Sequence, residues 1–120
     1  MSLCIAQAAG ETITIAALAF SLGWTHSVEK TEWREEWRIE GAALRLTEAR
    51  VKGSGAGMEP GEGARLKDGW WVWTPAIPPV DSLTLAASGA TGAGWRLCAN
   101  GRCREIGTDA SAPLTLAPCG

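Results

Sequence analysis

Hydrophobic residues recur along this chain with a period of two rather than 3.6, the spacing of strands that bury one face. Phe20, Leu22, Trp24, His26 and Val28 fall on one face, with Ala19, Ser21, Gly23, Thr25 and Ser27 on the other. Trp33, Glu35, Trp37 and Ile39 alternate with Arg34, Glu36, Arg38 and Glu40. Glu and Arg favour a helix over Glu32 to Glu40, but the strict alternation of Trp and Ile with charge predicts a strand. Thr12 to Leu18, Leu44 to Lys52, Trp70 to Thr74, Ser82 to Ser88, Trp95 to Ala99 and Arg102 to Ile106 read as further strands. Pro113 to Cys119 reads as a last edge strand, where proline is tolerated. Small-residue stretches, Gly53 to Gly63 and Gly89 to Gly94, separate them, and Asn100-Gly101 is a strong hairpin signal. About eight short strands with frequent turns predict an all-β fold, an antiparallel β-sandwich or partly closed barrel, with residues 1–120 as a single domain.

Composition narrows the function classes. Hydrophobic residues make up 46% and charged residues 20%, which excludes general disorder. Seven Trp against one Phe and no Tyr imply a core resting on a few indole anchors. The formal charge is −2, and acidic and basic residues balance even in the densest block, Glu29 to Lys52. No positive field is available to displace counterions, so nucleic acid is not an expected partner. No apolar run approaches the roughly 18 residues of a membrane span. Ile13 to Trp24 is as apolar as a signal-peptide core, yet no basic residue precedes it and Glu11 is acidic. The expected location is cytoplasmic, with the periplasm as alternative.

A hairpin joining Val28 to Trp33 across Glu29-Lys30-Thr31-Glu32 would set His26 opposite Glu35, Trp24 opposite Trp37 and Leu22 opposite Ile39. The only His would then meet a carboxylate beside two indoles, on the face expected to be buried. Such a pair serves either as a structural lock on the register or as a ligand or metal site. One His is too few for a four-ligand zinc site, and no metal is assigned.

The segment Leu22-Gly23-Trp24-Thr25-His26-Ser27-Val28-Glu29-Lys30, then Glu35 or Glu36, then Gly55-Ala56-Gly57, resembles the bacterial domain-of-unknown-function family numbered 1850. The resemblance covers Ile13 to Leu85 and, in some relatives, the Cys hairpin. Members are often encoded beside, or attached to, tripartite TRAP-type transporters of the TAXI class. The resemblance therefore implies an association with solute uptake, with a transporter subunit or solute receptor as partner. It carries over no catalytic residues. Many relatives begin with an export or membrane segment.

Lys52-Gly53-Ser54-Gly55-Ala56-Gly57-Met58 lacks the Gly-Lys-Ser/Thr ending of a phosphate loop and precedes no helix pattern, so it reads as a turn needing positive φ. If His26, Glu35 and this loop share one sheet end, they form a small polar pocket suited to a carboxylate or sugar. The candidate ligand-binding residues are thus His26, Ser27, Glu29, Glu35, Gly55 and Gly57. A turn at Asn100-Gly101 places Cys98 and Cys103 opposite each other within disulfide reach, and Cys4 and Cys119 lie near the two ends of the sequence. In an oxidising compartment these are structural disulfides; in a reducing one they are free thiols. No cofactor motif is present, and no nucleophile is spaced from a base as an enzyme requires. The expected function is a non-enzymatic binding or accessory module linked to TRAP-type transport. The alternative is a small-ligand or metal-binding domain centred on His26 and Glu35.

Overall fold

The computed structural model describes residues 1–7, 12–25, 31–52, 63–85, 94–107 and 113–119. Among these residues there is no helix, and strands are joined by turns and irregular connections. The strands are β1 (Ser2–Ala6), β2 (Thr12–Ile15), β3 (Ala19–Thr25), β4 (Glu32–Glu40), β5 (Ala43–Lys52), β6 (Arg65–Lys67), β7 (Trp70–Trp73), β8 (Leu83–Leu85), β9 (Trp95–Ala99), β10 (Arg102–Ile106) and β11 (Leu114–Cys119). They make a four-stranded sheet, β2-β1-β11-β8, and a seven-stranded sheet, β10-β9-β3-β4-β5-β7-β6. Both are antiparallel and they pack together as a sandwich rather than a closed barrel.

The alternation over Glu32–Glu40 is a strand, β4, at the centre of the larger sheet. Ser2–Ala6 and Arg65–Lys67 are strands that the reading of periodicity did not single out; Ser2–Ala6 does alternate, burying Leu3 and Ile5, whereas Arg65–Lys67 is short and exposed throughout. β11 is not the edge strand expected. It lies between β1 and β8, and Pro118 is tolerated because three-residue β8 pairs only with Leu114 to Leu116, leaving that side open beyond them.

The register of β3 against β4 also departs from expectation. Trp24 lies opposite Trp33, Leu22 opposite Glu35 and Phe20 opposite Trp37. The shift is four residues, an even number, so every side chain keeps its predicted face while its partner changes. The physical reason is aromatic pairing. The observed register stacks Trp24 on Trp33 at 6.0 Å and Phe20 on Trp37 at 6.5 Å between ring centroids. The expected register would have matched only Trp24 with Trp37, and one such pair is worth about 0.5–1.5 kcal/mol beyond its buried area.

The core fills the space between the sheets. Leu3, Ile5, Leu114 and Leu116 from the smaller sheet meet Phe20, Leu22, Trp37, Ile39, Leu44 and Leu97 from the larger. Leu44 and Val80 exchange both backbone hydrogen bonds (2.7 and 2.9 Å), attaching the stretch between the sheets to β5. Further along β5 a bulge leaves Thr47 without a cross-strand partner, and its hydroxyl donates to the Glu36 carbonyl at 3.1 Å. Asn100 and Gly101, both at positive φ, form the β9–β10 turn. The Asn100 amide also donates to the Ala16 carbonyl at 2.7 Å, anchoring that hairpin to the chain entering β3. Cys98 is bonded to Cys103 across the hairpin, and Cys4 to Cys119 across β1 and β11.

All seven Trp lie in the larger sheet, whereas Leu116 is wholly buried in the smaller one. Leu116→Ala should cost ~2–5 kcal/mol through the cavity it leaves. Urea unfolding followed by indole emission should show that loss as one shifted transition, because the sheets share a core. An unshifted emission curve would mean that the sheets unfold separately. The disulfides should differ in value according to the chain they enclose. Sequence separations are 115 for Cys4–Cys119 and 5 for Cys98–Cys103. Loop-closure entropy then gives about 5 kcal/mol for the first and about 2 kcal/mol for the second. Paired Cys→Ser replacements compared by denaturant titration test the order, which equal losses would refute.

Candidate ligand groove on the outer face of the larger sheet

β3 is an interior strand of the larger sheet, and its two faces differ sharply. Phe20 and Leu22 point into the core, with Trp24 further along the same face. The outer face carries only small residues: Ala19, Ser21, Gly23 and Thr25. The strands alongside carry long side chains on that face, Arg34 and Glu36 on β4 and Arg96 on β9, with the Cys98–Cys103 bridge beyond. Small residues between walls of large ones leave a groove of about 480 Å³, lined on its floor by Ser21 and Gly23.

Arg34 is held in place. Its Nε donates to Glu36 Oε1 at 3.1 Å, and its Nη2 points to Ser21 Oγ at 3.4 Å. Ser21 is the buried polar residue of the described chain, 4% exposed. Arg96, exposed on the opposite wall, makes no hydrogen bond or ion pair with a described residue, Glu105 across the β10 pairing included. Gly23 sits between the two arginines, opposite Arg34 on one side and Arg96 on the other. Its backbone is not in the left-handed region, and a Cβ there would meet only ordinary contacts, at 3.5 Å from the Trp33 carbonyl oxygen. The fold therefore does not demand glycine here. Glycine in a strand interior forgoes packing and weakens the strand, and it often marks close approach by a ligand.

Of the expected site residues, only Glu35 is among those described. His26, Ser27, Glu29, Gly55 and Gly57 lie outside the described residues. Glu35 is described, and its cross-strand neighbour is Leu22 rather than His26. Its carboxylate accepts from the buried Trp37 indole, Nε1 to Oε1 at 3.2 Å, supplying the acceptor that a buried indole N–H needs. Burial raises the Glu35 carboxyl above its ordinary value, and the Trp37 hydrogen bond partly opposes that. Beyond Glu35 the inner face carries a band of half-buried indoles: Trp95 against Trp24 at 4.9 Å, Trp24 on Trp33, and Trp33 edge-on to Trp73 at 6.3 Å. No three His, Cys, Asp or Glu residues among those described converge as metal ligands.

The groove residues Ser21, Arg34 and Arg96 were not singled out from the sequence, although the run of small residues at alternate positions was visible there. What periodicity alone could not supply was the identity of the neighbouring strands, and β9 reaches β3 only through the sheet topology.

Glu35 generates a pH prediction. A carboxyl whose pKa is raised on folding binds its proton more tightly in the folded state. Its stabilising contribution is complete below the unfolded value and is lost as pH rises through the folded value. Glu35→Gln keeps an oxygen for the Trp37 N–H and removes the charge. It should therefore be more stable than the parent at neutral pH, with the gap closing as pH falls toward 4.5. Denaturant titrations of both proteins across that range measure the gap, and a constant difference would show that Glu35 does not titrate with a raised value.

Neither the curated proteins nor the solved structures give a match to this chain. The family of the domain of unknown function DUF1850 matches residues 20–106. The match runs from the start of the β3 core face through the Cys98–Cys103 hairpin, and so contains both walls and the floor of the groove. The chain belongs to the DUF1850 family.

Proposed function

We propose that this domain is a non-enzymatic binding module that takes a small polar ligand in the groove over β3, as an accessory to TRAP-type solute transport of the TAXI class. The observation that carries the binding reading is Gly23. A residue without a side chain stands in an interior strand where the backbone would accept another, and it opens the floor between two arginines.

Ser21 is the hydroxyl at the groove floor, and the side-chain partner it has there is the Arg34 guanidinium. A guanidinium stays protonated and cannot act as the base that would activate a serine. This supports binding rather than turnover. The transport association is supported by the family resemblance, and the partner proposed is a TAXI-type membrane subunit or its solute receptor. Both disulfides support an oxidising location, the periplasmic alternative, since such bonds are rare in the cytoplasm.

Filling the groove tests the binding reading. Gly23→Val should fold with stability equal to or above that of the parent, because Val suits a strand better than Gly does. Thermal-shift screening of organic acids, amino acids and sugars should find ligands that stabilise the parent. Those ligands should not stabilise Gly23→Val. A ligand that stabilises both proteins equally binds elsewhere, and the groove reading would be discarded.

A further inference from the structure

We infer that the groove is an oxyanion site, in which Arg34 and Arg96 grip a carboxylate or phosphate group of the ligand over the bare backbone of Gly23. This rests on the binding-module reading and names the chemistry of what is bound. The three residues form one row across β4, β3 and β9. Adjacent strands lie about 4.8 Å apart, so the two arginine Cα atoms stand roughly 10 Å from each other with no side chain between them. Both side chains are on the outer face, and both line the groove.

The two guanidinium groups differ in how they are employed. Glu36 and Ser21 engage the Nε and Nη2 atoms of Arg34, which fixes the orientation of the head while Nη1 is left without a described partner. Arg96 has no described partner for any of its donors. Glu105 is its cross-strand neighbour, yet the two form no ion pair. One oriented cation and one unengaged cation thus flank an open floor. A guanidinium presents a planar fork of N–H donors, which matches the paired oxygens of carboxylate or phosphate. Glu32 and Glu36 also line the groove. Their charges balance the arginines and restrict the site to a single small oxyanion, excluding an extended polyanion.

The inference is tested on the full chain with acetate and inorganic phosphate as probes, and with chloride at matched ionic strength as control. Backbone amide resonances of Gly23, Arg34 and Arg96 should shift saturably with at least one oxyanion and not with chloride. The two probe arms distinguish a carboxylate from a phosphate source. Arg96→Gln should weaken the response roughly tenfold or more, the size of one lost charge-assisted contact. Arg96→Lys, which keeps charge without the fork, should recover only part of it. Absence of a saturable shift with both oxyanions overturns the inference. So does an organic ligand that requires an open Gly23 floor but binds Arg96→Gln as tightly as the parent. That second outcome leaves the groove itself standing, whereas loss of Gly23 dependence removes the groove and its oxyanion together.

Discussion

The stacking of Trp24 on Trp33 and of Phe20 on Trp37 sets the register of β3 against β4, and almost everything else follows from that register. On the inner face it brings Leu22 opposite Glu35, so the carboxylate lies beside an aliphatic side chain, while Trp37, two residues along the same strand, donates its N–H to it. On the outer face it brings Ser21 opposite Glu36 and Gly23 opposite Arg34. A slip of two residues would leave the faces intact but would place Thr25 or Ser21 opposite Arg34, and the bare floor would no longer face an arginine. Aromatic pairs inside thus align a polar groove outside. Sheets make such coupling unavoidable, because one backbone carries both faces.

The inner face is divided between two kinds of packing. Where the smaller sheet covers it, aliphatic side chains interdigitate and Leu22, Leu44 and Leu97 are essentially without exposure. Where the indoles take over, the large side chains pack chiefly on one another, and Trp24, Trp33, Trp73 and Trp95 remain half-buried. The Trp33–Trp73 contact crosses β5, where Ala49 and Val51 are buried outside the main core cluster. An indole covers more area than any aliphatic side chain, which explains how a thin layer of Trp can shield a stretch of sheet. Glu35 stands at the boundary between these regions. Its charge is costly there, but its oxygen is useful, and burial raises its carboxyl so that the cost falls when it is protonated.

Much of this architecture was legible in the sequence. Period-two alternation located nearly every strand of the larger sheet, and Asn100-Gly101 marked the turn that joins Cys98 to Cys103. Faces were also readable, since parity survives any even shift. Partners were not. The length of the connection between β3 and β4 decides the register, and nothing in Glu29-Lys30-Thr31-Glu32 identifies a tight turn by its chemistry. An inference that hung on one specific opposition, Glu35 with His26, failed for that reason. Short strands were the other gap: Arg65–Lys67 has too few residues to display a period, Ser2–Ala6 shows only the two buried positions Leu3 and Ile5, and each is held as a strand by its pairing with a neighbour.

The groove was hidden for a different reason. Ala19, Ser21, Gly23 and Thr25 were visible as the small face of a strand, which in isolation suggests only a poorly packed edge. An interior position changes the meaning. Between two paired neighbours, a small-residue face becomes a channel whose walls are the side chains of adjacent strands, here Arg34 and Glu36 on one side and Arg96 on the other. Simple stability would favour a β-branched residue at Gly23, since its conformation permits one and strands gain from the added packing. Ser21 would be equally well replaced by an apolar residue of its size, with no buried hydroxyl to satisfy. Neither substitution is present, and both positions lie on the same floor beneath the same arginine. The departures from what folding alone prefers are thus concentrated at one place, which is where a binding role is best sought.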